Sequence, residues 1–378
     1  MHKLLLPFFL ALLLFCTCAP TSHKAQVETI VFDYSCTTSV FQYNRIESVS
    51  FTPLDGNCLI GNGPELRLAG DNLFILHGRY SNHERIDRYN TQGEYLNQIG
   101  RSGRGPGEIA TQVCDWFLYG ENMMGIVILS NKVLLYDFAG NFIREIHVSV
   151  PTFQGFGSPY MTHLKDSNYL VALPAKTDSS LLIRVSETGA GVKPMLKSKK
   201  TYPIGMEFPT LFFQSNGQLY YSSAHDNTIY KVEQDTVILA FLTDPGKYAI
   251  PQEFYNNLSE EAFNRLGQNG VAAVYYFLEN SNYYVIQVAV YHVEFSGLIW
   301  GIIHKGEKEW FWSKMEIFPL GGADYNAAVI TDDNRLMVLV PPVTLKEQLP
   351  LMKNVLNPQV VASLNDDDNP VLVEIKLK

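Results

Sequence analysis

The residues best suited to chemistry sit in Gly100-Arg101-Ser102-Gly103-Arg104-Gly105-Pro106-Gly107-Glu108-Ile109, where four glycines and a proline fall within eight positions. That density excludes the interior of a helix or of a paired strand. Backbone amides and two guanidinium groups therefore stand together in a loop. Such a set can bind a carboxylate or sulfate, the arginines bidentately. It is not a phosphate-binding P-loop, because no Gly-Lys-Ser/Thr ends the run and no helix pattern follows it. The reading the glycines favour is a tight crossover between two sheets, with Arg101 and Arg104 held outward.

Other chemistry finds less support. His77, His83, His147, His163, His225, His292 and His304 are scattered, without HExxH or paired ligand spacing, so no metal and no cofactor are expected. His225-Asp226 is adjacent in sequence, but neighbours on a strand point to opposite faces. No Gly-x-Ser-x-Gly elbow and no placeable Cys/His nucleophile pair occurs. The aromatic runs Tyr275-Tyr276-Phe277, Tyr283-Tyr284 and Trp310-Phe311-Trp312 would suit sugar stacking, yet alternation buries half of such residues. Trp310 or Trp312 is the one expected at the surface.

A formal charge of −9 over 378 residues argues against a general nucleic-acid binder. The aromatic share of 12% leans towards β structure, where flat side chains suit a pleated face. The N-terminus carries an address. Leu4 to Phe15 is an apolar run of 12 residues, too short to span a bilayer as a helix and suited to a signal peptide. It ends in Cys16-Thr17-Cys18-Ala19, which resembles a bacterial lipobox; Thr17 is smaller than Phe15 at the preceding position, so Cys18 is the expected lipidated residue. The division expected is a signal peptide over 1–17, an anchor linker over 18–27 and one folded domain over 28–378. The membrane is then a partner through lipid. The lack of an acidic cluster after Cys18 favours the periplasmic side of an outer membrane. Of the other thiols, Cys36 and Cys58 are the expected pair if a bridge forms, with Cys114 left free; buried thiols are the alternative.

Internal repetition decides the architecture. A loop pair followed by an apolar strand recurs from Asp71, Glu121, Ser167, Asn216, Ser281 and Asp333, at intervals of 50, 46, 49, 65 and 52 residues. Two strands around a Gly-containing turn follow each, closely alike over Ile86 to Leu96 and Val133 to Ile143, and weaker from Leu182, Ile229 and Leu298. Four strands per period, six times over, predict an all-β, six-bladed β-propeller of four-stranded blades. The strands from Asp71 onward are read as the inner ones. The sixth blade ends on Val371 to Leu377 without an outer strand. Glu28 to Asp33 or Ile46 to Phe51 is expected to supply it and cover the edge. Leu258 to Gly267, with an N-cap Ser and acidic first turn, predicts a short helix. Thr344 to Asn369 interrupts blade six, with helical turns over Lys346 to Leu356, before Pro358.

Gly100 to Ile109 resembles the Gly-rich loop of NHL-repeat propellers. With the lipobox, six blades and terminal Asn369 to Lys378, the chain resembles the six-bladed β-propeller lipoproteins of Gram-negative anaerobes. The resemblance implies a fold and a location and no particular chemistry. Cys114-Asp115-Trp116-Phe117 departs from the NHL pattern, and later blades lack the glycines. In such a ring, blade crossovers and second-to-third-strand loops share a face. Arg101 and Arg104 are therefore expected beside Arg79, His83, Lys132 and Lys176, with His225 and His292 coming round to complete a cationic rim. The expected function is a lipid-anchored, non-catalytic binding or assembly module that offers one face to a protein, peptide or glycan. The alternative is a hydrolase or lyase with active groups at the central channel.

Overall fold

A computed structural model describes residues 27–61, 63–78, 84–129, 131–148, 160–164, 167–173, 179–188, 191–198, 212–215, 217–223, 227–255, 259–293, 296–318 and 328–378. Six sheets of four antiparallel strands, one of them carrying an added fifth strand, form a ring, a six-bladed β-propeller. Blade one is Glu65–Ala69, Asn72–His77, Arg85–Asn90 and Tyr95–Ile99, and blade two is Val113–Tyr119, Met123–Ile128, Lys132–Asp137 and Phe142–His147. Blade three runs from Tyr160–Leu164 to Val192–Lys197, blade four from Phe212–Ser215 to Val237–Asp244, and blade five from Val271–Glu279 to Phe311–Phe318. Blade six holds Ala328–Ile330, Arg335–Val340 and Val371–Leu377.

The recurring apolar strand proves to be the second of each blade. The channel-lining strand comes before the loop pair. Second strands are buried on both faces, so Leu73 to Leu76 read as an unbroken apolar run, each 0% exposed. First strands present an edge to the channel and carry mixed residues such as Glu65 and Arg67. The third-to-fourth turns repeat for a local reason. Asn90 and Asp137 accept the amides of Glu94 and Asn141 on their side chains at 2.9 and 2.8 Å, and Gly93 and Gly140 supply φ of +85° and +87°.

Ile46–Pro53 completes blade six, antiparallel to Val371–Leu377. The other candidate, Glu28–Val31, adds in parallel to Val237–Asp244 as a fifth strand of blade four. Between them the chain runs as a belt over the rim of blade five. Phe32 meets Trp312 edge-on at 5.7 Å, the Tyr34 hydroxyl donates to the Pro245 carbonyl at 3.2 Å, and Tyr43 packs on Phe311 at 4.7 Å. Trp312 is buried and Trp310, half-buried, stacks on it at 5.9 Å, so this aromatic run is core packing.

Helix α1 (Glu260–Asn269) starts where predicted, with the Ser259 side chain accepting the Ala262 amide at 3.1 Å. It runs past Gly267 and stops at Gly270, whose φ of +80° suits a glycine. In the blade-six insert, α2 (Pro342–Gln348) is followed by α3 (Pro358–Ala362), which begins at Pro358. The insert covers the closing strand. Asn357 accepts the Phe51 amide at 3.0 Å and donates to the Phe51 carbonyl at 2.8 Å. Asn369 does the same for the crossover into blade one: it donates to the carbonyls of Asp55 and Cys58 and accepts the Ile60 amide. The seam of the ring is therefore clamped from both sides.

Candidate functional site

Of the predicted rim residues, Arg79, His83, Lys176 and His225 lie outside the described residues, as do Cys18 and the signal segment. Arg101, Arg104, Lys132 and His292 are described, and chain order puts them on the crossover face. Two of them already hold carboxylates. Arg101 Nε lies 2.9 Å from Glu108, and Lys132 Nζ lies 2.9 Å from Glu145, which also pairs with His147 at 2.6 Å. Lys132 in blade two and His292 in blade five are separated around the ring.

The Gly-rich loop supplies its own anion. The Gly105 amide donates to Glu108 Oε2 at 2.7 Å. That bond first, and then Arg101 and the Arg104 amide, outweigh desolvation and hold the Glu108 carboxyl below its usual range. The glycines are required by space: a Cβ on Gly103 would fall 2.0 Å from Glu108, and one on Gly107, at φ +71°, 2.3 Å from Phe142. The tight-crossover reading describes this loop, and Glu108 occupies the nest an external carboxylate would need.

On the opposite face, where first-to-second-strand turns gather, the central channel opens into a cavity of about 430 Å³. Its walls mix aliphatic and aromatic side chains with polar ones in about equal measure, Arg67, Asp71, Gln214, Tyr276, Asp332 and Arg335 among the residues that line it. Arg335 is held by Asp333 at 2.9 Å and Glu374 at 3.2 Å. Arg67 is placed differently. Its guanidinium lies 4.6 Å from the Trp116 ring centroid, and its nearest acidic oxygen, on Asp115, is 3.7 Å away. Trp116 is fixed in turn by its indole N–H, which donates to Glu65 at 2.8 Å. Among the described residues, no group of three or more His, Cys, Asp or Glu side chains converges as a metal site. Sequence reasoning missed Arg67 because no motif surrounds it; its ring partner belongs to the next blade.

A family model described as a domain of unknown function, DUF4934, matches residues 31–376. The chain belongs to the DUF4934 family. Among solved structures, this DUF4934 chain is similar to a protein of Bacteroides fragilis NCTC 9343 whose description infers that it is exported. The TM-score is 0.67 at 18% identity, over 93% of this chain and 100% of that one. At that identity the likeness shows the fold alone. BamB from Moraxella catarrhalis (TM-score 0.31, 11% identity, 82% of this chain and 71% of that one) and the WD40 propeller domain of Doa1 (0.33, 11%, 64% and 63%) are too distant to bear on function. No curated protein matches the sequence.

The DUF4934 chain also holds a buried polar cluster, unseen in the sequence, where blade six crosses into blade one. Asp87, fully buried, accepts from Cys58 at 2.8 Å, from His77 Nε2 at 2.6 Å and from Arg85 Nε at 3.1 Å. The Gly61 amide donates to His77 Nδ1 at 2.9 Å, which places the imidazole proton on Nε2. This is not a nucleophilic triad. The thiol donates to the carboxylate rather than to the imidazole, and burial, with Asp87 beside it, pushes Cys58 up to about 11. The expected Cys36–Cys58 bridge does not form: Cys36, Cys58 and Cys114 are in no disulfide, Cys36 packing instead against the core around blade five.

Proposed function

We propose that this chain is an exported, lipid-anchored propeller that binds a protein, peptide or glycan without transforming it. The observation that carries this reading is the channel cavity of about 430 Å³, a size ordinary for ligand sites. Its described lining is about equally polar and apolar and includes neither His nor Cys. Export is supported by the signal-like run Leu4 to Phe15 and by the description of the B. fragilis protein. Placement at the periplasmic side of an outer membrane, and kinship of the Gly-rich loop with NHL repeats, belong to the same proposal.

Two experiments bear on it. Cys18→Ala is expected to shift the protein from the membrane to the soluble fraction, with loss of diacylglycerol mass from its N-terminal peptide; a variant that keeps both refutes lipidation at Cys18. For the site, mass spectrometry of protein gently released from membranes should detect a co-purifying ligand. Leu68→Trp, which fills the cavity, should remove it. Chemical alteration of that ligand on incubation would contradict the non-catalytic reading. Arg101→Ala with Arg104→Ala should leave it bound. The reverse pattern would move the partner to the crossover rim, where Arg79, His83, Lys132, Lys176, His225 and His292 are proposed to add charge.

A further inference from the structure

Arg67 poses a question that the fold does not answer. A guanidinium has five N–H donors, and a buried one is normally hydrogen-bonded and paired. The Arg67 side chain is 13% exposed, its Nε is buried without a hydrogen-bond partner, and the Asp115 oxygen at 3.7 Å is beyond hydrogen-bond reach. That oxygen already accepts the Trp116 amide at 2.7 Å. The guanidinium carbon lies over the Trp116 ring, which offers no hydrogen-bond acceptor of the ordinary kind, and Arg67 lines the channel cavity.

We infer that Arg67 anchors a monocarboxylate in the central channel, the acid's oxygens on the guanidinium and its apolar body against the aliphatic and aromatic wall. This rests on the reading of the cavity as the binding site. A planar two-oxygen acceptor matches the guanidinium fork. A dianion does not fit, because Asp115 stands beside Arg67 and the exposed carboxylates of Asp71 and Asp332 line the mouth. The apolar body has its place on one part of the wall, formed by Phe213, Tyr276, Leu278 and Ile330, beside the polar Gln214, Ser215 and Thr331.

Calorimetric titration of the folded chain at low salt tests this, with octanoate and 4-phenylbutyrate as probes and 4-phenylbutyramide and inorganic phosphate as controls. At least one acid is expected to bind with Kd below about 1 mM, and both controls at least about tenfold more weakly. Arg67→Met should weaken the acid by at least about tenfold, and Arg67→Lys, which keeps the charge without the fork, by less. Arg67→Lys, which keeps a cation beside Asp115, should melt within about 4 °C of the parent, and Arg67→Met is read only where it stays folded. Binding should also perturb Trp116 fluorescence, and Trp116→Phe should silence that signal. The inference falls if neither acid binds the parent, or if the Arg67 variants bind it equally well. If the acids fail while Leu68→Trp still removes a co-purifying ligand, the channel remains the site and only the carboxylate assignment is lost. If Leu68→Trp changes nothing either, both readings fail.

Discussion

Deletion of residues 369–378 is expected to abolish the cooperative unfolding transition of the whole propeller. Val371–Leu377 is the third strand of blade six and pairs on both sides, with Arg335–Val340 and with the closing strand Ile46–Pro53. Its loss removes two ladders and leaves the N-terminal strand without its antiparallel partner. Five of its side chains, Val371, Leu372, Val373, Ile375 and Leu377, are at most 2% exposed. At about 1.5–3 kcal/mol for each buried aliphatic chain, the loss is of the order of a domain's whole stability. Asn369 goes too, and with it three hydrogen bonds to the crossover at Asp55, Cys58 and Ile60. Scanning calorimetry decides: a truncated chain with the parent's melting temperature and enthalpy would show that the ring does not depend on this seam.

Asp87→Ala is expected to destabilise the chain by about 3–5 kcal/mol, the range for removing one partner of a buried, charged cluster. The loss takes the acceptor from His77 Nε2 and the Cys58 thiol and the counter-charge from Arg85, which keeps its bonds to Leu59 and Cys58. Asp87→Asn should cost less while revealing the charge. Burial alone would raise the Asp87 carboxyl; the hydrogen bonds from His77 and Cys58, with the charge of Arg85, outweigh it and hold the group below its ordinary 3.8. A carboxyl lowered in the folded state stabilises above its unfolded value, and that contribution disappears as pH falls through the folded one. The parent should therefore lose stability below about pH 4 in part through Asp87, and Asp87→Asn should lose less over the same interval. Urea midpoints across that range measure both. Equal midpoints for parent and Asp87→Ala at neutral pH would make the cluster incidental.

The blades were legible because their signals are local. The second strands are continuous apolar runs, and the turns after Asn90 and Asp137 repeat one side-chain-to-backbone geometry closed by Gly93 and Gly140. The order of strands inside a blade was less so, since the second strand outshines a channel strand as short as Ala328–Ile330. The need for a closing strand was legible from the unfinished sixth blade. Which of two segments closes it was not: Glu28–Val31 and Ile46–Pro53 both read as strands, and only packing over blade five sends one to blade four. The loop at Gly100 was read for its amides and arginines, while the residue that decides its chemistry, Glu108, sat in plain view as its own ligand. Arg67, Trp116 and Glu65 form a unit only after two blades meet, as do Cys58, His77 and Asp87 across a blade crossover. Such juxtapositions leave no spacing for a single sequence to display.

The belt has a further consequence, in time rather than in space. Phe51 and Asn357 hold each other across 306 residues. Blades one to three draw all their strands from contiguous sequence and can assemble as the chain lengthens. Blade six cannot, because its outermost strand is made first and its partner last. Contacts this remote in sequence are the slow ones in folding. The final act of maturation is then the docking of an N-terminal ribbon onto an arc of blades already in place. Until that moment the strand edges that residues 27–53 will cover stay open on blades four and six.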